Sequence, residues 1–456
     1  METKNAWSKY KEGQLNKIYE LSDLYKKFLT NSKTEREFVK NTINIATKEG
    51  FKNLKEVNNL VPGDKIYVNN MDKSIALFII GSEDIEKGLN ILGAHVDSPR
   101  LDLKANPLYE ESEFAYFDTH YYGGIKKYQW LSLPLAIHGV VVKKDGSKID
   151  VNIGEKEDDP VIGITDLLPH LASDQLKKSA NDFIDGENLD ILVGSMPLNN
   201  GDNKEKTKDN ILKILKENYN ILEDDFISAE IEIVPAFPAR DFGLDKSMII
   251  SYGQDDKMCA FTSLQAILNI EQPTRTALCL LVDKEEIGSV GSTGMASHFL
   301  ENSLAEVCNL LGKTNSISQI RALENSFMLS SDVNAGYDPL YKSVMDLRNS
   351  SMLGHGVAFC KYTGSRGKSG ASDANAEYIA KIRNIMDEAN VSYQFSELGK
   401  VDIGGGGTIA YLAAKYNMNV IDSGVAVLSM HAPWEVTSKV DVYEAYKCYI
   451  TFLNNI

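Results

Sequence analysis

The chain has 456 residues and a formal charge of −16, from 48 Lys and Arg against 64 Asp and Glu. That length exceeds a typical domain of about 100–200 residues, and the acidic balance argues against a nucleic-acid binder, which needs a basic face for phosphates. With 43% hydrophobic, 25% charged and 9% aromatic residues, disordered and membrane classes are disfavoured and a sizeable core is expected.

Taken in order, the segment from Met1 to Tyr10 is polar and lacks the apolar core of a secretory signal. No apolar stretch approaches the roughly 20 residues that span a bilayer, so a cytoplasmic protein without a membrane partner is expected. Leu15, Ile18, Leu21, Leu24, Tyr25 and Leu29 recur at helical spacing, and Thr34 with Glu37 forms a capping-box start for a second helix. Short apolar runs of strand length follow, Ile75 to Ile80 and Leu89 to Ala94.

Between about Asn106 and Pro238 the pattern changes. Asp145-Gly146 signals a hairpin, and Ile227, Ala229, Ile231 and Ile233 alternate with Ser228, Glu230 and Glu232 as in a half-exposed strand. The polar stretch Asn199 to Asn210 reads as a solvated loop. After Pro238 buried strands again alternate with helices, which argues for a mostly parallel sheet. The expected fold is therefore α/β: a central, mostly parallel sheet with helices on both faces, made from residues 1–105 and 239–456 and interrupted by a β-rich insert, 106–238. The five cysteines are scattered, with no CxxC spacing, so any metal must be held by His and carboxylates.

The informative feature is what ends the apolar runs. Leu89 to Ala94 meets His95 and Asp97; Ser247 to Ser251 leads to Asp255 and Asp256; Ala277 to Val282 leads to Asp283, Glu285 and Glu286; Phe327 to Leu329 leads to Asp332; Val425 to Met430 ends at His431. In a parallel sheet the carboxyl ends of strands lie along one edge, so groups distant in sequence converge there. Singly, each residue has a plain structural explanation as a helix cap, a turn residue or a solvated acid. Together at successive strand ends they point to a divalent site for zinc-like ions, because strand-terminal carboxylates are costly without a partner and a cation supplies one.

At this point the chain resembles a known family. His95-Val96-Asp97-Ser98-Pro99-Arg100, Gly253-Gln254-Asp255-Asp256-Lys257, Lys284-Glu285-Glu286-Ile287-Gly288-Ser289, Ser331-Asp332 and Ser429-Met430-His431 occur in the order of the aspartyl-aminopeptidase family of zinc metallopeptidases, and are similar to its bacterial branch over essentially the whole chain. The resemblance implies two zinc ions per subunit, with cobalt or manganese as alternatives. Asp255 bridges them, His95 and Asp332 complete one set, and Glu286 and His431 the other. Two ions held about 3.5–4 Å apart make water a usable nucleophile near neutral pH. Glu285 is then the general base, Asp283 a less favoured alternative, and Asp97 the orienter of the His95 ring. Asp256 has no assigned role.

The resemblance also places Lys361 beside an acidic first residue of the substrate and His170 at a neighbouring subunit's site. His120, His138, His298 and His355 receive no role. Gly404 to Gly407 is expected to line the substrate site or form a helix-entry turn; no GK[ST] follows, so it is not a phosphate loop. The implied activity is removal of N-terminal residues, acidic ones above all, from peptides, with the insert as a dimerisation domain and dimers assembling into a tetrahedral dodecamer. The competing readings are another two-metal amidohydrolase, such as a carboxypeptidase or deacylase, and an inactive assembly or peptide-binding protein.

Overall fold

The structure is a computed structural model that describes residues 4–199 and 204–456. Its contacts divide the chain into two compact units, one of residues 1–97, 239–430 and 435–456, the other of 98–238 and 431–434. The chain thus enters the second unit at Ser98, ahead of residue 106, because Arg100–Glu111 is one continuous strand of that unit's sheet. Among the described residues no helix is long and apolar enough to cross a membrane.

The first unit is built on a nine-stranded sheet. Its strands run in the order Lys52–Asn53, Lys65–Asn70, Ser74–Ile79, Thr276–Val282, Leu89–His95, Phe327–Ser331, Asn419–Gly424, Val357–Cys360 and Tyr393–Ser396. The four strands from Thr276–Val282 to Asn419–Gly424 are mutually parallel, and antiparallel pairings flank them. Successive residues of a strand face opposite sides, and here both sides are buried. Leu92, Ala94, Cys279 and Leu281 join one core with Tyr25, Phe38, Phe261, Tyr449 and Phe452, whereas Leu89, Ile91, Leu278 and Leu280 join another with Leu300, Leu304, Ala410 and Leu412. Helices therefore cover both faces, and the strands read as unbroken apolar runs for that reason.

Glu12–Thr30 and Glu35–Lys48 are the two leading helices, and the second begins with the Thr34–Glu37 capping box. Leu24 departs from the helical stripe and is 45% exposed. A five-stranded sheet of Arg240–Phe242, Met248–Ser251, Glu435–Ser438, Ala426–Leu428 and Asn334–Ala335 also belongs to this unit. Two of the expected ligand-bearing strands, those leading to Asp255 and to His431, thus lie in this smaller sheet and not at the edge of the large one. Met248–Ser251 alternates half-buried and buried residues whereas Leu89–His95 and Thr276–Val282 are buried throughout, yet all read as short apolar runs, so sequence pattern does not distinguish the two sheets.

The second unit is a six-stranded antiparallel sheet, in the order Lys148–Ile153, Leu135–Val142, Ala229–Pro235, Arg100–Glu111, Phe114–Tyr122 and Ile191–Gly194. The hairpin turns at Asp145-Gly146, with Gly146 at φ 85. Alternation fails at Glu232, which is 4% exposed because its carboxylate meets Arg100 at 3.1 Å. The loop expected over 199–210 is also corrected: residues 200–203 lie outside the described ones, and a helix runs over Lys206–Tyr219. Its first amides, of Thr207 and Lys208, donate to Glu110 at 2.8 and 2.9 Å. That cap comes from a distant strand, so no local cap residue announces it.

Candidate metal centre

His95 is the last residue of its strand and is 2% exposed. Its two ring nitrogens face different groups. Nδ1 lies 3.3 Å from Asp97 Oδ1 and 3.1 Å from the Asp97 carbonyl oxygen. Nε2 lies 3.3 Å from Asp255 Oδ1, 3.9 Å from Glu285 Oε2 and 4.0 Å from Asp332 Oδ1. One nitrogen is thereby oriented by a carboxylate while the other points into a group of oxygens.

Asp255 and Asp256 open the helix Gln254–Leu268, but their backbones are not helical, at φ −80, ψ 111 and φ −111, ψ 23, and the peptide bond between them is cis. The Asp255 amide donates to Glu435 Oε2 at 3.0 Å, and Gln254 Nε2 donates to the Glu435 carbonyl at 2.6 Å. Tyr25 donates in turn to Gln254 at 3.3 Å. Glu435 is 1% exposed, and neither it nor Gln254 figured in the ligand set expected from sequence, since both act on backbone groups and complete no apolar run.

Past Thr276–Val282 the chain turns through Lys284 at φ 69, a 3-10 turn at Glu285–Ile287, and Gly288 at φ 97. On this turn the amides of Glu285 and Glu286 donate to the two oxygens of Asp97, at 3.1 and 3.2 Å. Asp97 therefore holds the His95 ring and the glutamate turn at once. Asp283 faces away from that role: it accepts from Thr293 Oγ1 at 2.6 Å and from the Lys284 amide at 2.8 Å. These partners, absent from any sequence pattern, disfavour it as a base. Asp332 follows Phe327–Ser331, with its amide bonded to the Ser423 carbonyl at 3.1 Å.

His95, Asp255 and Asp332 each offer a ligand atom within 4.8 Å of the others, and Asp255 and Glu286 offer atoms within the same limit. His431 stands at φ 64 at the head of the 431–434 loop, and its Nδ1 lies 2.9 Å from the Gly124 carbonyl. His170 is exposed on a short 3-10 turn, Pro169–Leu171. Lys361 directly follows the strand Val357–Cys360. That strand runs antiparallel to Asn419–Gly424, so Lys361 is level with Ile421 while Asp332 is level with Gly424. That sets its backbone roughly 10 Å back along the sheet from the ligand edge, with its ammonium 4.9 Å from the Tyr362 ring centre. Gly405–Gly406 pairs with Gly364–Ser365 in a small ribbon ahead of the helix Ala410–Ala414, so the glycine run is more than a helix-entry turn.

Charge at the centre is crowded. Burial pushes Asp332 well above the ordinary carboxylate range, and Asp256 and Asp255 add to the effect while His95 opposes it. Asp256 is raised in the same way, by burial first and with Asp255 adding. Burial disfavours a charged His95, but hydrogen bonds to Asp255 and Asp97 outweigh it and hold the imidazole well above its usual value. Carboxylates this close compete for positive charge, which a divalent cation would supply. An imidazole nitrogen among hard oxygens, its second nitrogen already engaged, fits zinc.

Comparison with known proteins agrees. The family model described as aminopeptidase I zinc metalloprotease (M18) matches residues 28–453. A Clostridium acetobutylicum protein named "Probable M18 family aminopeptidase 1" is 56% identical, over 100% of this chain and 98% of its own. The crystal structure of an M18 aminopeptidase from Thermotoga maritima superposes with a TM-score of 0.96 at 45% identity over all of both chains. The S. cerevisiae mApe1 dodecamer shares the fold at a TM-score of 0.76 and 20% identity, over 95% of this chain and 96% of that one. With the family model spanning nearly the whole chain and a relative above half identical, the chain belongs to the M18 family and is a zinc metalloprotease that removes residues from the N-termini of peptides.

Proposed function

We propose that the chain works with two zinc ions per subunit, bridged by Asp255, one held by His95 and Asp332 and the other by Glu286 and His431. The observation that carries this reading is the convergence of His95, Asp255 and Asp332 within 4.8 Å, with Glu286 equally close to Asp255. When bound, zinc supplies Lewis-acid polarisation of the scissile carbonyl and makes water acidic enough to attack near neutral pH.

Glu285 is the general base. Its carboxylate reaches to 3.9 Å from His95 Nε2 and its side chain keeps 19% exposure, enough access to take a proton from water and return it to the leaving amine. Asp97 keeps the base and the ligand in register through its bonds to both. A preferred acidic first residue belongs to the same proposal, with Lys361, which directly follows the strand Val357–Cys360, as the cation that pairs with it; the family resemblance supports this.

Assembly belongs to the same proposal: the 98–238 unit mediates dimer contacts, His170 reaches the site of a neighbouring subunit, and dimers build a tetrahedral dodecamer. The dodecameric S. cerevisiae relative supports this assembly. A cytoplasmic location is in keeping with five buried cysteines, none in a disulfide.

The test is a panel of peptides differing in first residue, each with a free and an acetylated N-terminus, with metal content measured on the same enzyme sample. Hydrolysis confined to free amines, fastest after Asp or Glu, with two zinc per chain, is expected. Preference for acetylated substrates identifies a deacylase and sinks the substrate assignment; one metal per chain sinks the two-ion site.

A further inference from the structure

Asp256 follows the proposed bridging ligand directly in the chain. It is 0% exposed. Its Oδ2 accepts the amide of His95 at 3.4 Å and its Oδ1 accepts the amide of Val333 at 3.2 Å. One carboxyl group is thus joined through the chain to Asp255, hydrogen-bonded to the backbone of His95 itself, and hydrogen-bonded to the residue that follows Asp332. All three members of the triad are tied to it, and the amides it grips are 161 and 77 positions away in the chain.

We infer that Asp256 is the positioning residue of this centre, setting the spacing of His95, Asp255 and Asp332 and thereby the affinity for zinc. The inference rests on the zinc reading of the triad. Both carboxyl oxygens are acceptors facing backbone donors, so the amide of an Asn at this position would turn one NH2 toward an N–H. One ligand-bearing segment must then move or leave its amide unsatisfied.

The chain carries a matched control. Asp441, also 0% exposed, accepts the amides of Gly354 and Gly356 at 2.6 and 2.7 Å. Neither of those glycines adjoins a proposed ligand. Asp441→Asn therefore inflicts the same chemical loss at a place where only stability is at stake.

The experiment compares wild type, Asp256→Asn, Asp256→Glu and Asp441→Asn, each stripped of metal and titrated with zinc against a chromogenic chelator, with melting temperatures recorded in parallel. Asp256→Asn is expected to lose about 10- to 100-fold in zinc affinity, the usual effect of losing a group that holds a metal ligand in place. Asp256→Glu, which keeps both acceptors on a longer stem, loses part of that affinity and stands in if the Asn variant does not fold. Asp441→Asn is expected to melt lower while keeping zinc affinity within about twofold, since its loss is structural. Excess zinc should recover turnover in the Asp256 variants.

A folded Asp256 variant that binds zinc as wild type does overturns the inference, as does an equal loss of affinity in Asp441→Asn. Wild type that binds no zinc removes the metal reading itself, a distinct outcome.

Discussion

Asp97 accepts from the amides of Glu285 and Glu286 while lying against Nδ1 of His95, so the proposed base and two proposed ligands share one anchor. Removing the base alone should leave that anchor intact. Glu285→Gln is expected to keep its bound zinc and lose about 10²- to 10⁴-fold in kcat, the usual contribution of a general base; unchanged turnover with full metal content would take Glu285 out of the role. Asp422 offers a pH test. Burial pushes its carboxyl up to about 6, against hydroxyl donors Thr408 and Ser330, with Glu285 nearby raising it further. The folded chain then binds a proton more readily than the unfolded one, so this group's contribution to stability is full below about pH 4 and is lost as pH rises through about 6. In urea titrations of metal-free protein, Asp422→Asn should therefore gain on wild type by up to about 3 kcal/mol between pH 4 and 7; a constant difference across that range would refute the shift. Residues such as His95 and Asp332 were legible in sequence because they interrupt apolar runs. Asp256 stood out by position in the same way, but its role did not, because its partners are backbone amides, which every residue carries.

At the scale of elements, the ligand edge depends on how closely two strands approach. A Cβ built on Gly424 would stand 1.8 Å from the Asp332 carbonyl oxygen and 2.5 Å from its carbon. Gly424→Ala must therefore push Asp332 away, and is expected to cost about 1–3 kcal/mol in denaturant titrations and to weaken zinc binding with it. Loss of stability with unaltered zinc affinity would show that Asp332 tolerates the shift. The elements themselves were readable where local rules govern them, as in the Thr34–Glu37 box and the Asp145-Gly146 turn. They were unreadable where tertiary contacts override, as in the helix Lys206–Tyr219, capped by Glu110 from a remote strand. Membership of the large or the small sheet was equally hidden, because pairing partners leave no trace in a strand's own composition.

At the scale of the molecule, a chain of charge −16 repels acidic peptides at long range, so any acidic preference must arise close to the zinc site, where screening is weak. Light scattering of the native enzyme is expected to return twelve times the 50.6 kDa chain mass; a monomer mass would overturn the proposed assembly. The division of the chain has a further consequence, for synthesis. The six strands of the second unit lie within the continuous stretch 98–238, so its sheet has every strand once residue 238 has emerged, although residues 431–434 of the unit come later. Leu89–His95 waits longer: it needs Thr276–Val282 and Phe327–Ser331 on either side, and Asn90 bonds the Leu453 carbonyl in the final helix at 3.0 Å. At about 5–20 residues per second, the first ligand strand waits roughly 10–50 s on the ribosome for its neighbours. Its apolar faces stay without their partners during that interval, and His95 and Asp332 cannot come together until the strand Phe327–Ser331 has been made.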